Sequence, residues 1–176
     1  MEQRKTSTEN AGVRGQMIIR QAEADDVMQI AEILVEDWKT AYKDIIDSDY
    51  LDSLNAEQRY EIEIKRYRKF TVAVDHDEVL GYAWNEMVDD DDAADCEIIA
   101  LYVRYSKRKN GIGRALMENA MDGFRKSGKK SMIIWCLEEN YESRKFYEKM
   151  GGKQYKAGTH RWGNRDYNMI SYLYQL

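Results

Sequence analysis

A basic turn with two glycines, placed between an apolar strand and an amphipathic helix, is the segment best suited to chemistry. The turn has the spacing Arg108-x-x-Gly111-x-Gly113 and follows the apolar run 97–103. The first turn of a helix has unpaired backbone N–H groups and a partial positive charge, and glycine lets the main chain approach a ligand closely. The pattern therefore predicts a phosphate-binding loop.

Two other phosphate-binding motifs share glycines with this chain but do not fit it. A dinucleotide fingerprint requires a third glycine three residues after Gly113, where the sequence has Leu116. A Walker A motif at 123–130 would have Lys130 in place of Ser or Thr, at the end of a helix.

Four cations around the glycine turn have no obvious acidic partner in the sequence and suit a pyrophosphate; they are Lys107, Arg108, Lys109 and Arg114. The alternative is a solvated tight turn.

A second candidate segment has the spacing Asn140-x-x-Ser143-x-x-x-Tyr147 in a short predicted helix, 141–150. Asn140 is a natural N-cap. Residues three and four apart share a helix face, so these three side chains are predicted to form a polar face, while Phe146 faces the core. The alternative is a capped surface helix with an incidental tyrosine.

Together the two segments resemble the acetyl-CoA-binding blocks of the GNAT N-acetyltransferase superfamily. The resemblance implies acetyl-CoA as cosubstrate, no metal, a pyrophosphate on the turn, the pantetheine arm on the preceding strand and the later helix, and Tyr147 as general acid. The cofactor-binding residues that it implies are Leu101, Tyr102, Val103, Arg108, Lys109, Asn110, Gly111, Ile112, Gly113, Arg114, Asn140 and Ser143.

Acetyl transfer to an amine requires a base, because an alkyl amine has a pKa of about 10 and is protonated at neutral pH. Glu97 falls where several family members carry a strand glutamate that deprotonates the amine, usually through water; the alternative is a strand-edge carboxylate. Tyr147 would then protonate the CoA thiolate, and a backbone N–H of 101–103 would bind the oxyanion. Cys96 and Cys136 lie in apolar runs that would not activate a thiolate, so direct transfer without an acyl-enzyme is expected.

The acceptor is expected to be a primary amine of a small molecule or peptide. Polyamines, amino sugars, amino acids and protein N-termini or lysines all stay open. The candidate substrate-binding residues are Trp38, Tyr42, Glu97 and Trp135, although aromatic residues at helical spacing also suit a core. The acidic loop Asp89 to Asp95 attracts cationic acceptors or is simply solvated. The alternative function is a non-catalytic acyl-CoA-binding sensor.

Composition restricts the class of protein. With 176 residues the chain is long enough for one domain, and 43% hydrophobic with 34% charged residues is typical of a soluble globular protein. The net charge of −5 argues against a general nucleic-acid binder, and no apolar run is long enough to span a membrane. Two cysteines without metal-ligand spacing, and no apolar leader, lead us to expect a cytoplasmic protein.

The elements that must position these residues follow a mixed α/β order. We expect a flexible arm at 1–16 and a single domain at 17–176. The resemblance implies a GNAT fold: a twisted, mostly antiparallel sheet of about six or seven strands with about four helices, opened between the fourth and fifth strands to admit acetyl-CoA. The aromatic final segment, Tyr167 to Leu176, could form a homodimer surface.

The elements predicted from periodicity are a strand at 17–20, helices at 27–42 and 56–68, a hairpin at 70–88, a strand at 94–103, a helix ending at Ser127, a strand at 132–136, a helix at 141–150 and two strands in 153–176.

Overall fold

A computed structural model describes residues 17–88 and 94–176 of the chain. These residues form one seven-stranded sheet and five α-helices, so the mixed α/β fold is confirmed with one helix more than expected. The strands are β1 (Ile18–Gln21), β2 (Phe70–Asp75), β3 (Glu78–Met87), β4 (Cys96–Val103), β5 (Ser131–Leu137), β6 (Lys153–Trp162) and β7 (Arg165–Gln175). The helices are α1 (Val27–Ala41), α2 (Ser48–Ser53), α3 (Ala56–Glu63), α4 (Ile112–Lys126) and α5 (Tyr141–Lys149).

The sheet opens in the middle. Its strand order is β1-β2-β3-β4-β5-β7-β6, and every neighbouring pair is antiparallel except β4 with β5. The parallel pairing of β4 with β5 covers only Cys96 to Ile98 opposite Met132 to Ile134. Beyond these pairs the two strands diverge, which confirms the opening expected between the fourth and fifth strands.

A bulge in β4 decides which side chains face which layer. Trp84 of β3 lies opposite Ala100 but the next residue lies opposite Ile98, so Ile99 is the extra residue of β4. The extra residue reverses the alternation of side chains along the strand. Ile98 and Leu101 consequently pack in the same core with α4, whereas Ala100 faces the core beneath α1.

One sequence prediction about elements is wrong. The second predicted helix, 56–68, is α3, which Asn55 caps and which ends at Glu63 rather than Arg68. A further helix, α2, precedes it and is capped by Asp47. α2 was not predicted because six residues are too few to show a helical period. The aromatic C-terminal segment forms β7, one of the two strands predicted there, and Tyr172 and Tyr174 are buried in the core of the chain. A homodimer surface on this segment stays a prediction.

Some expectations fall outside the described residues. The arm 1–16 and Asp89 to Asp92 of the acidic loop are among them. At the end of that loop, the Asp95 carboxylate accepts hydrogen bonds from the backbone N–H of Lys130 (2.8 Å) and Ser131 (3.2 Å), which ties β4 to the start of β5. In the part of the chain that the structure describes, no helix is long and apolar enough to cross a membrane.

Candidate functional site

Two clefts meet where β4 and β5 diverge. The loop cleft has a volume of about 420 Å³ and is lined by Leu101, Val103, Arg108, Lys109, Gly111, Ile112, Gly113, Arg114, Glu142, Ser143, Phe146, Tyr147, Lys149 and Met150. The aromatic cleft has a volume of about 580 Å³ and is lined by Leu34, Trp38, Tyr42, Arg59, Glu63, Arg66, Phe70, Tyr82, Trp84, Glu97, Ile99, Ala100, Tyr102, Trp135, Cys136, Leu137, Gly158, Thr159, His160, Trp162 and Met169.

A small cavity of about 50 Å³, the junction, lies between the clefts. Six of its residues also line the aromatic cleft, namely Tyr42, Ile99, Ala100, Tyr102, Trp135 and Cys136, and three also line the loop cleft, namely Leu101, Ser143 and Tyr147. The remaining residues of its lining are Asp37 and Ile134. A ligand that extends along the loop cleft toward the sheet therefore reaches the aromatic cleft at the junction.

The floor of the loop cleft is made of backbone N–H groups. Gly111 begins α4 with φ +81°, the left-handed region that favours glycine. The six amides of 109–114 donate no hydrogen bond to any other described residue, and the first bond of α4 runs from the N–H of Ala115 to the carbonyl of Gly111. Such an array of free amides at a helix start binds anions.

Three of the four cations around this loop have acidic partners, so the expectation of unpaired charges is wrong for Lys107, Arg108 and Arg114. Lys107 donates to Glu78 (2.9 Å), and Arg114 lies 3.6 Å from Glu118 in α4. Within 17–88 and 94–176, Lys109 makes no ion pair. These pairs are at least partly exposed, so water and salt weaken them and the cations can rearrange around an anion.

Arg108 connects the loop cleft to the junction. Its guanidinium forms an ion pair with Asp37 of α1, lies 3.6 Å from Glu142 of α5, and lies over the Tyr105 ring. Asp37 is buried, with 4% of its surface exposed. Asp37 belongs to neither of the two sequence motifs, but its position four residues after Ile33 on the apolar face of α1 marks it as a buried charge.

Tyr147 lies at the junction with its phenol buried. Burial raises the pKa of this phenol well above its ordinary value, and nearby Cys136 and Tyr102 add to the effect, so it is protonated at neutral pH. The sequence placed Tyr147 on a polar face of α5, but it is the buried residue of that helix and packs in the core. The Tyr174 hydroxyl fixes the local backbone by donating to the Tyr147 carbonyl (2.8 Å).

Two predicted cofactor-binding residues use their side chains within the protein. The Asn140 Oδ1 accepts a hydrogen bond from the backbone N–H of Ser143 (3.1 Å) and so caps α5. The Asn110 side chain donates to the Lys107 carbonyl (3.1 Å) within the turn. Ser143 itself lines both the loop cleft and the junction.

The predicted substrate-binding residues come together in the aromatic cleft. Trp38, Tyr42, Glu97 and Trp135 all line it, although they come from three places in the chain: α1 with its C-cap, β4 and β5. The ring of Trp38 lies edge-on to Tyr42 (5.3 Å between centroids), and its Nε1 donates to the Tyr102 hydroxyl (2.9 Å). Tyr102 belongs to the predicted cofactor residues, but it lines the aromatic cleft and the junction rather than the loop cleft.

Three phenols meet at this place: Tyr42, Tyr102 and Tyr147. Burial raises the pKa of each. At neutral pH each is therefore a neutral hydroxyl, able to donate a hydrogen bond. The junction therefore offers three phenolic proton donors beside the Asp37 carboxylate, which is paired with Arg108.

Other residues of the aromatic cleft were not predicted. They lie on α3 and just after it (Arg59, Glu63, Arg66) and on β6 (His160, Trp162). No spacing in the sequence connects these segments, because the fold alone brings them together.

Both thiols are unsuited to nucleophilic chemistry. Cys96 and Cys136 are buried, and burial raises the pKa of each to about 12, so they are neutral at physiological pH. Among the described residues there is no group of three or more acidic, histidine or cysteine side chains that could hold a metal ion.

Two bacterial proteins resemble this chain in sequence. It is 32% identical over 126 residues to the uncharacterized N-acetyltransferase YuaI of Bacillus subtilis, covering 69% of this chain and 72% of that protein. It is 29% identical over 139 residues to a probable N-acetyltransferase of Mycobacterium tuberculosis, covering 74% of this chain and 76% of that one.

Solved structures share the fold. The PaiA N-acetyltransferase of Thermoplasma acidophilum, in complex with coenzyme A, matches with a TM-score of 0.68 at 21% identity, covering 88% of this chain and 98% of that one. The acetyltransferase YncA of Salmonella typhimurium, with acetyl-CoA, matches with a TM-score of 0.68 at 20% identity, covering 91% and 94%. The model of the acetyltransferase (GNAT) family matches residues 28–152, which include β4, the glycine turn and α5. On this match the chain belongs to the GNAT acetyltransferase family.

Proposed function

We propose that this protein is an N-acetyltransferase that transfers the acetyl group of acetyl-CoA directly to a primary amine. The observation that carries the proposal is the meeting of an amide-lined anion cleft with an aromatic cleft at the opening between β4 and β5, beside the Tyr147 phenol. Acetyl-CoA carries a pyrophosphate and, at the end of its pantetheine arm, a reactive thioester. The pyrophosphate matches the amide-lined end of the loop cleft, and the thioester matches the end at the junction. Related structures that contain CoA or acetyl-CoA support the choice of cosubstrate.

The residues of the loop cleft suit this cosubstrate. The free amides of 109–114 would hold the pyrophosphate, with Lys109 and Arg114 adding charge. Arg108 would turn from Asp37 toward the phosphates. Bound in this way, acetyl-CoA would supply an activated acetyl thioester, and the diverging strands leave room beside Leu101 for the pantetheine arm.

Glu97 is our candidate for the general base. It lines the aromatic cleft on the same face of β4 as Ala100 and Tyr102. An amine enters mostly as the ammonium ion and must lose a proton before its nitrogen can attack. Glu97 would take that proton through ordered water, leaving the neutral amine at the junction.

Tyr147 is our candidate for the general acid. Its phenol is neutral, buried and at the junction, where the C–S bond breaks as the N–C bond forms. It would donate its proton to the departing sulfur and recover the proton that the attacking nitrogen loses, so the products are the acetamide and the CoA thiol and the phenol is again neutral. The neutral, buried thiols of Cys96 and Cys136 agree with direct transfer.

Thiol release tests the proposal. Purified protein is mixed with acetyl-CoA and a panel of polyamines, amino sugars, amino acids and short peptides, and free CoA thiol is measured. We expect release that depends on one amine class. If CoA raises the thermal midpoint but no amine releases thiol, the protein is an acyl-CoA-binding sensor instead.

A further inference from the structure

A buried carboxylate between two arginines forms one wall of the aromatic cleft. Glu63 has 1% of its surface exposed and lies between Arg59 and Arg66. Arg66 donates two hydrogen bonds to it, from Nε to Oε2 (2.7 Å) and from Nη2 to Oε1 (2.8 Å), and lies 4.2 Å above the Trp84 ring centroid. Arg66 is thus fixed on both sides and satisfies Glu63.

Arg59 is held less completely. Its Nε lies 2.6 Å from Glu63 Oε1 without the alignment of a hydrogen bond, and this Nε is buried with no hydrogen-bond partner. Its guanidinium makes no other ion pair with the described residues. One carboxylate therefore serves two guanidinium groups, which leaves a positive charge and spare N–H donors at the cleft wall.

The other residues of the aromatic cleft limit which ligands could bind to the positive charge of Arg59. Outside the arginine cluster, Glu97 is the acidic residue that lines the described cleft. A polyamine with several ammonium groups needs several carboxylates and would be repelled by Arg59. The remaining walls are largely aromatic, and about 580 Å³ is the volume of a small-molecule site.

We propose that the acceptor is a small amine that also carries a carboxylate, with an apolar body between the two groups. The carboxylate pairs with Arg59, the body packs against rings such as Trp84, and the amino group extends toward Glu97 and the junction. Glu63, held by Arg66, positions the Arg59 side chain. The inference rests on the acetyltransferase function proposed above.

Pairs of amines that differ in the carboxylate alone test the inference. Suitable pairs are 6-aminohexanoate with hexylamine, 4-(aminomethyl)benzoate with benzylamine, and 4-(2-aminoethyl)benzoate with 2-phenylethylamine, with spermidine as a polyamine. Thiol release is measured for each with saturating acetyl-CoA. We expect the carboxylate-bearing member of at least one pair to have a kcat/KM about 10- to 100-fold higher, the value of one charge-assisted hydrogen bond.

The Arg59→Gln variant tests whether Arg59 causes the preference for the carboxylate-bearing amine. We expect it to raise KM for the carboxylate-bearing amine by about 10- to 100-fold and so to remove most of the preference over the neutral partner. Arg59→Lys keeps the charge and restores part of the preference. Arg68→Gln is the matched control with unchanged kinetics, because Arg68 is exposed and outside the cleft lining. The thermal midpoint reports whether Arg59→Gln is folded.

Failure of this inference differs from failure of the proposed function. Equal or better turnover of neutral amines or spermidine overturns the inference and leaves the acetyltransferase intact. Without any thiol release, calorimetry of the same pairs on CoA-loaded protein decides. Binding of a carboxylate-bearing amine that Arg59→Gln abolishes supports the inference for a non-catalytic protein, and no binding overturns it.

Discussion

The loop cleft and the aromatic cleft differ in how much of the chain builds them. The loop cleft uses two short segments, 101–114 and 142–150, and the surface that we propose to bind anions is main chain. The aromatic cleft takes side chains from Leu34 to Met169, across most elements of the fold. A site made of backbone amides is encoded by a local motif, whereas a site made of side chains depends on the whole fold.

The two clefts also differ in charge. Four cations and one carboxylate line the loop cleft: Arg108, Lys109, Arg114 and Lys149 against Glu142. Two arginines and two glutamates line the aromatic cleft: Arg59 and Arg66 against Glu63 and Glu97. The first suits a polyanion such as CoA, and the second suits a ligand that carries both signs of charge. Substitutions that affect one cleft and spare the other test this division.

Removal of the Tyr147 hydroxyl has the largest expected effect. We expect Tyr147→Phe to lower kcat by about 10²–10⁴-fold while CoA affinity stays the same, because Phe keeps the packing but has no proton to donate. Thiol release gives kcat, and calorimetry gives the CoA affinity. Tyr141→Phe is the control, since Tyr141 lies in the same helix but is exposed. Unchanged turnover would remove Tyr147 as the acid.

The pH profile of the wild-type protein also tests Tyr147 as the general acid. Because the pKa of the Tyr147 phenol is raised, the protonated and active form persists as pH increases. We therefore expect no loss of kcat from this group below about pH 10, the ordinary tyrosine value, and a fall above the raised value. A tyrosine-dependent fall that begins near neutral pH contradicts the assignment.

Glu97→Gln tests the base on the aromatic side. We expect kcat to fall by about 10²-fold at neutral pH and to recover as pH rises toward about 10, where the amine loses its proton without help. The measurement is kcat against pH, with Glu61→Gln on the exposed side of α3 as control. A rate reduction that does not change with pH points to a different base.

Gly111→Ala tests whether the loop cleft depends on its main chain. Alanine in the left-handed conformation costs about 1–2 kcal/mol, so we expect about tenfold weaker CoA binding and a lower thermal midpoint. Gly123→Ala is the matched control inside α4, where nothing lies within 4 Å of an added Cβ. It should stabilise the protein by about 0.5–1 kcal/mol and leave CoA binding unchanged. Equal effects of both changes contradict the amide-based interpretation.

Asp37→Asn tests the contact between the two clefts. The Asp37 carboxylate competes with phosphate for Arg108 and repels anions, so its neutralisation should tighten CoA binding about fivefold. Calorimetry at low and high salt measures the change, which should shrink as salt increases. Weaker binding would instead mean that Asp37 holds Arg108 in the orientation that phosphate requires.

The sequence predicts the loop cleft better than the aromatic cleft. The turn at 108–113 and the spacing of Asn140, Ser143 and Tyr147 predicted the family, which the family match confirms, and the opening of the sheet, which the structure confirms. Periodicity also located the strands and the long helices within a few residues. The helix face of Tyr147 was wrong, because spacing along a helix shows which side chains share a face but not which face is buried.

The sequence by itself determined the anion loop, since glycine conformation and free helix-start amides are properties of consecutive residues. The tertiary structure alone decided the partners of the charges. Arg108 meets Asp37 from 71 positions away, and Arg59 and Glu97 line one cleft from elements that share no local pattern. Backbone geometry is set over a few residues, whereas long-range electrostatic contacts and burial exist only after the sheet and helices have packed.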